Sequence, residues 1–189
     1  MAAAEPADLA TTPWLRLSRR TVYENNWIRV EEDRVRVPNG HETIYGVVRC
    51  ADAVGVLPFV DDDHVILVQQ YRYVAGHPTW EMPTGGRGQG ETLEDAARRE
   101  LAEEAVCTAG KLEHLTRYHT SKSVVDETAH LFIATDLGDA SGAEHTDFTE
   151  LLRREVWKFD TVVQMVHRAE ITDSMTVIAV LMAEARRRD

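Results

Sequence analysis

The stretch that decides the fold is residues 81–104, which read EMPTGGRGQGETLEDAARRELAEE. A glycine-rich loop leads into a segment whose apolar residues recur at helical spacing. Thr92, with Asp95 three residues later, forms a capping-box pattern, so we predict a helix over Leu93–Ala105. The loop is not a P-loop, because Glu91 stands where that loop has its lysine, and it does not match the GxGxxG dinucleotide fingerprint.

Three glutamates lie near the end of this predicted helix, at positions 100, 103 and 104. Glu103 and Glu104 fall within roughly 60° of Glu100 around the helix axis, and so does the apolar stripe of Leu93, Ala96 and Ala97. A solvated helix face would carry its charges opposite that stripe. Like charges at this spacing repel, and acids near a helix C-terminus oppose the helix dipole, so we expect a compensating cation. Carboxylates without Cys or His favour Mg²⁺ or Mn²⁺ over zinc.

These residues carry a family resemblance. The pattern G-x5-E-x7-R-E-U-x-E-E-x-G-U, where U is bulky and apolar, is the Nudix box, and the chain matches it at Gly85, Glu91, Arg99, Glu100, Leu101, Glu103 and Glu104. The chain therefore resembles the Nudix hydrolases. It departs from the box at Val106, where the box has glycine, and at Cys107, where it has an apolar residue. Because valine resists φ > 0, we expect a different helix exit, or Gly110 in the glycine's place.

The resemblance extends along most of the chain. Several segments resemble the ADP-ribose pyrophosphatase-like branch, namely Tyr23–Trp27, Tyr45–Val48, Gly55–Pro58, Gln70–Tyr73 and Trp80–Pro83. Three others resemble its nucleoside-diphosphate-sugar hydrolases, namely residues 123–127, 134–137 and 170–176. The resemblance implies an α+β fold, a Nudix-type α/β/α sandwich with a mixed β-sheet. It also implies an N-terminal β region, residues 1–50, that contributes to dimerisation and the substrate pocket, before a catalytic domain at 51–189.

Alternation of apolar and polar residues places the other elements. Strands are predicted from near Trp27, through a Pro38–His41 turn to Val48, and at 53–60, 64–70, 112–119, 128–135 and 154–159. Further helices are predicted at 161–168 and 174–187, the second with Asp173 as its N-cap. Runs of strands with helices between and after them indicate an α+β arrangement and not a regular βαβ repeat.

The resemblance also implies roles for individual residues. Glu100, Glu103 and Glu104 would bind Mg²⁺, with Mn²⁺ as a substitute and the Thr84 carbonyl as a further ligand. Arg99 and Glu91 would pair across the loop–helix junction and hold these carboxylates in place. A glutamate just before a late strand acts as general base in related hydrolases, and Glu150 matches it. Glu127 is the second choice of base, and a solvated loop acid is the competing interpretation of Glu150.

Four residues are assigned to the substrate. Arg72 is predicted to contact a phosphate, since a guanidinium suits bidentate phosphate binding, with a surface ion pair as the alternative. Glu81 is predicted to hold a ribose or sugar hydroxyl or to bridge to metal. Trp27 is predicted to stack on a base, with a core position as the alternative. Tyr45 is assigned to the substrate through the resemblance of its motif.

The implied reaction is Mg²⁺-dependent hydrolysis of the diphosphate of a nucleoside diphosphate sugar, such as ADP-ribose or GDP-mannose, to a nucleoside monophosphate and a sugar phosphate. One alternative is another nucleotide class, a dinucleoside polyphosphate or an oxidised nucleoside triphosphate. The other is a non-catalytic Nudix-fold nucleotide sensor. Retention of all three box carboxylates favours the enzyme. A homodimer is the expected assembly, with a small molecule as the partner.

Composition limits the partners and the compartment. The chain has 189 residues, 43% of them apolar, and a formal net charge of −11. Such acidity argues against nucleic acid and against anionic membranes, since each phosphate contact needs a base. Residues 85–107 carry −3 and residues 126–150 carry −7, so the charge concentrates in the box helix and the acidic segment that ends at Glu150. Two cysteines without CxxC, no signal-peptide pattern and no long apolar run predict a cytoplasmic protein.

Overall fold

The computed structural model describes residues 12–141 and 152–188, and the chain divides into two compact units. The first unit comprises the chain up to Ala51 together with His119–Glu127, and the second comprises Asp52–Tyr118 and the chain from Thr128 onward. The strands are β1 Leu15–Glu24, β2 Arg29–Arg36, β3 Glu42–Arg49, β4 Ala53–Pro58, β5 His64–Arg72, β6 His77–Glu81, β7 Thr84–Gly86, β8 Cys107–His119, β9 Val125–Asp126, β10 Thr128–Asp139 and β11 Arg153–Lys158. The helices are α1 Leu93–Ala105, α2 Phe159–His167 and α3 Ser174–Arg188. Within the described residues, none of these helices is long and apolar enough to cross a membrane.

The first unit is a four-stranded sheet in the order β1-β2-β3-β9. The β2–β3 hairpin turns at Gly40, whose φ of 88° is the left-handed conformation that its Asn-Gly pair predicts. Strand β1 was not predicted, because the apolar alternation of Leu15 and Leu17 does not continue along it, and every one of its residues is exposed. The opposite strand buries two acids, Glu31 and Asp33, which both bind the guanidinium of Arg19.

The second unit holds two sheets, in the orders β7-β4-β10-β8 and β11-β5-β6, and β4 runs parallel to β10. Successive residues of β4 point to opposite faces, as a strand requires. Val56 belongs to an apolar cluster with Ala97 and Leu101 of α1, whereas Leu57 belongs to a cluster with α2 and α3. The predicted α+β fold is confirmed, with a mixed sheet between helices and a preceding β region.

Helix α1 has the predicted bounds and cap. The Thr92 hydroxyl accepts a hydrogen bond from the Asp95 N–H at 3.1 Å and donates to the Asp95 carboxylate at 2.6 Å. Its exit corrects the sequence analysis, because Val106 takes the left-handed conformation of the missing glycine, with φ 54° and ψ 40°. The Val106 N–H donates to the Leu101 carbonyl, which closes the helix. Gly110 does not replace it, since its φ lies outside the left-handed region.

Replacing Val106 with glycine is expected to stabilise the protein by about 1 kcal/mol, because a side chain in the left-handed region costs roughly 1–2 kcal/mol. The midpoint of thermal unfolding should rise by roughly 2–4 °C in a chain of this size. Circular dichroism melting measures this shift. Val106→Ala is the control, since alanine keeps the Cβ and most of the strain; an equal rise for both variants would contradict the argument.

Candidate active site

The guanidinium of Arg99 joins the glycine-rich loop to helix α1. Its Nε donates to Glu91 Oε1 at 3.0 Å, and Nη2 donates to Glu91 Oε2 at 3.1 Å. Glu91 Oε2 also accepts from the Gly88 N–H at 2.8 Å, so the carboxylate fixes the loop backbone. The hydrogen bond from Arg99 lowers the pKa of Glu91, and the same pair raises the pKa of Arg99. The pair is therefore charged at neutral pH.

The box carboxylates are held on the inner side of α1. Glu100 is only 7% exposed and Glu104 only 3%, as expected for acids that continue the apolar stripe. Arg99 Nη1 donates to Glu100 Oε1 at 2.6 Å and to Glu103 Oε2 at 3.2 Å. Burial strengthens the mutual repulsion of these acids, so their position depends on the cations and N–H groups around them.

Thr84 lies beside Glu104 at the start of the glycine-rich loop. Its backbone N–H donates to Glu104 Oε2 at 2.8 Å. This contact uses the Thr84 N–H, and the assignment of the Thr84 carbonyl to a metal stays a prediction. Next to it, Gly85 approaches Glu100 so closely that a Cβ there would overlap the Glu100 carboxylate. A side chain at residue 85 would therefore displace the Glu100 carboxylate from its present position.

The donor set fits a hard divalent cation in its chemistry. It consists of carboxylate oxygens, the ligand type that Mg²⁺ and Mn²⁺ prefer. Glu91, Glu100 and Glu103 share the single guanidinium of Arg99, which leaves a local excess of negative charge. Over residues 12–141 and 152–188, no three Asp, Glu, His or Cys side chains converge in a ready ligand cluster. Arg99 Nη1 instead contacts both Glu100 and Glu103.

A second charged pair lies at the ends of β5 and β6. Arg72 Nε lies 3.0 Å from both carboxylate oxygens of Glu81, which is almost fully buried, and the Thr79 hydroxyl also donates to that carboxylate. Arg72 Nη2 lies 3.4 Å from Thr84 Oγ1. The hydrogen bond to Glu81 raises the pKa of Arg72, and the charge of Glu104 adds to the effect. Arg72, Glu81, Thr84 and Glu104 thus form one polar cluster.

Arg72 and Glu81 were predicted to have separate tasks. The structure shows the ion pair that was the alternative for Arg72, with the buried Glu81 as its partner, and Thr79 was not predicted. The two residues are nine positions apart on adjacent antiparallel strands, where Val68 faces Glu81 and Gln70 faces Thr79. Alternate residues of paired strands share a face, so this register brings the three polar side chains together. The sequence signal for this cluster was weak: two polar residues, Thr79 and Glu81, alternate in β6.

Three predicted site residues belong to the first unit. Trp27 is 78% exposed, so the core alternative for this residue is wrong. Tyr45 is half-buried and packs edge-on against Trp14, with ring centroids 5.7 Å apart. Glu127 accepts a hydrogen bond from the Cys50 thiol at 3.5 Å. Glu150 lies outside the described residues.

Two family models match the chain. The NUDIX domain matches residues 50–174, and the nucleoside diphosphate sugar hydrolase N-terminal domain matches residues 14–48. The chain is 30% identical to a methanol dehydrogenase activator of Bacillus methanolicus, over 84% of this chain and 86% of that protein. It is 29% identical to an ADP-ribose pyrophosphatase of Bacillus subtilis (strain 168), over 87% of this chain and 89% of that one. A crystal structure of an ADP compounds hydrolase superposes with a TM-score of 0.84 and 23% identity, over 94% and 95% of the two chains.

Proposed function

Because the chain belongs to the Nudix hydrolase family, we propose that it hydrolyses the diphosphate of a nucleoside diphosphate sugar to a nucleoside monophosphate and a sugar phosphate. Membership follows from the NUDIX domain over residues 50–174. The substrate class is supported by the nucleoside diphosphate sugar hydrolase N-terminal domain at residues 14–48 and by the ADP-ribose pyrophosphatases among the relatives. The observation that carries the proposal is the buried pair Glu100 and Glu104 beside the glycine-rich loop.

Glu100, Glu103 and Glu104 are the side chains proposed to hold Mg²⁺ or Mn²⁺, with Thr84 as a further ligand. When bound, the cation supplies positive charge that neutralises the diphosphate and polarises the bond to be cleaved. Arg99 and Glu91 are proposed to fix the direction of these carboxylates, since one guanidinium contacts three of the four acids. Their task is positional, and neither is proposed to take up a proton.

Arg72 is proposed to bind a substrate phosphate. It contacts Glu81 through Nε and Nη2, and 40% of its side chain is exposed, so Nη1 is the donor proposed for the substrate. Glu81 then has a supporting task, because its carboxylate orients the guanidinium. Trp27 and Tyr45 are proposed to contact the nucleotide. Glu150 is proposed as the general base that takes the proton of the attacking water, with Glu127 as the second choice.

A homodimer is proposed as the working assembly. The first unit exposes apolar and aromatic side chains that a folded monomer normally covers, namely Trp14, Leu15, Leu17, Val22, Tyr23, Trp27 and Ile44. Burying them against a second copy would remove this surface from water. We also propose that residues 1–50 supply the dimer and pocket region and that residues 51–189 supply the catalysis.

A substrate panel tests the function. ADP-ribose, GDP-mannose, UDP-glucose, a CDP-linked substrate, a dinucleoside polyphosphate and an oxidised nucleoside triphosphate are each incubated with the protein and Mg²⁺. Released phosphomonoesters and, by calorimetry, binding are measured. We expect turnover of at least one nucleoside diphosphate sugar, lost on addition of EDTA and restored by excess Mg²⁺. If only a dinucleoside polyphosphate or an oxidised nucleoside triphosphate is hydrolysed, nucleoside diphosphate sugars are not the substrate class. Binding without turnover would indicate a nucleotide sensor.

A further inference from the structure

One buried hydroxyl supports the backbone that enters the glycine-rich loop. Thr176, in the first turn of α3, is fully buried. Its Oγ1 accepts a hydrogen bond from the backbone N–H of Met82 at 3.0 Å and donates one to Asp173 Oδ2 at 2.6 Å. The hydroxyl therefore links the C-terminal helix to the backbone two residues before Thr84.

The short segment from Met82 to Thr84 is fixed by three successive contacts. The Met82 N–H binds Thr176, the Pro83 carbonyl accepts from the Val56 N–H at 2.9 Å, and the Thr84 N–H binds Glu104 Oε2 at 2.8 Å. Proline has no N–H, so the Met82 and Thr84 amides are the only backbone donors of this segment. The fixed φ of Pro83 limits rotation of the backbone between these two amides, so the contact at Met82 also constrains Thr84.

The Thr176 hydroxyl is not needed to cap α3. Asp173 Oδ2 accepts from the Thr176 backbone N–H at 2.7 Å, which caps α3 whatever side chain residue 176 carries. The contact to Met82 is additional and needs an acceptor on the side chain. Asp173 also lies close enough for its charge to help raise the pKa of Arg72, so the cap residue belongs electrostatically to the same polar cluster.

We propose that Thr176 is a positioning residue for the metal site: its hydroxyl sets the backbone of Met82–Thr84 and thereby the placement of Thr84 and Glu104. It touches neither substrate nor metal and acts only through the Met82 N–H. The assignment rests on the proposed metal-dependent hydrolysis. According to this proposal, the buried hydroxyl of Thr176 on α3, which is remote in sequence from the box, controls the affinity of the site for a cation.

The test measures Mn²⁺ binding by electron paramagnetic resonance, together with kcat and KM on the best substrate of the panel. Thr176→Val keeps the shape and removes the acceptor, so Mn²⁺ affinity should fall roughly 10-fold and kcat roughly 10- to 100-fold, with a smaller change in KM. Thr176→Ser keeps the hydroxyl and should restore both values. Val162→Ala, in the buried face of α2, is the matched control for lost core stability and should leave Mn²⁺ affinity unchanged.

Unchanged Mn²⁺ affinity in Thr176→Val would overturn the assignment, and so would an equal loss in Val162→Ala. If Thr176→Val does not fold, Thr176→Ala gives the same comparison, because it also lacks the hydroxyl. The wild-type arm separates the two proposals: a wild-type chain that hydrolyses no substrate overturns the proposed function. Hydrolysis by the wild type with no difference among the Thr176 variants overturns only the positioning role.

Discussion

Replacing Gly85 with alanine is expected to lower kcat roughly 100-fold while the chain stays folded, because displacing a reacting or ligating group by about 1 Å can cost that factor. The three nearest atoms to a Cβ at this position all belong to the carboxylate of Glu100. That carboxylate is the far end of a flexible side chain, so it can move aside without a shift of the backbone. The cost therefore falls on the position of Glu100 and on its contact with Arg99.

Gly86→Ala is the matched control for this prediction. Apart from its two chain neighbours, no described residue has an atom within 4 Å of a Cβ added at Gly86, and its φ lies outside the left-handed region. Its kcat should stay close to that of the wild type. Steady-state kinetics at saturating Mg²⁺, with a melting curve for each variant, make the comparison. Full activity in Gly85→Ala would show that the close approach of the loop to Glu100 has no catalytic importance.

Glu104→Gln is expected to lower Mg²⁺-dependent kcat roughly 10²–10³-fold, the range for removing one preorganised electrostatic group. Glutamine has the same shape, and its amide oxygen can still accept from the Thr84 N–H, so the local structure should persist. What is lost is one negative charge among the proposed ligands. The affinity of the substrate-free protein for Mn²⁺ should fall as well, because the lost charge belongs to a proposed ligand.

The same substitution should leave thermal stability unchanged or raise it. Glu104 lies at the C-terminal end of α1 among like charges, where an acid opposes the helix dipole and its neighbours. Activity is thus expected to fall without any loss of stability, which a general loss of structure would not produce. Glu94→Gln, at the exposed first turn of the same helix, is the control and should keep full activity. A fully active Glu104→Gln would defeat the argument for a metal at this helix.

The box helix could be predicted closely from the sequence because its determinants are local. Its bounds, the Thr92 cap and the burial of Glu100 and Glu104 follow from spacing along one helix. The hairpin at Gly40 is local in the same sense, since a two-residue signal sets the turn. Strand β1 was missed because it has no buried face, and a strand without a buried face need not alternate apolar and polar residues.

The family, the charge of the site and the helix that carries its carboxylates could all be inferred from the residues alone. Three features became visible only in the folded chain: Arg72 binds Glu81, Thr176 binds the Met82 N–H, and Val106 takes a left-handed conformation. The physical reason is how far apart the contacting residues lie along the sequence. Helix periodicity and caps are read within a few residues, whereas Thr176 and Met82 are 94 positions apart and meet only when α3 packs on the sheet. Val106 in turn keeps a conformation that its own side chain disfavours, because the helix end and the strand after it fix the backbone there.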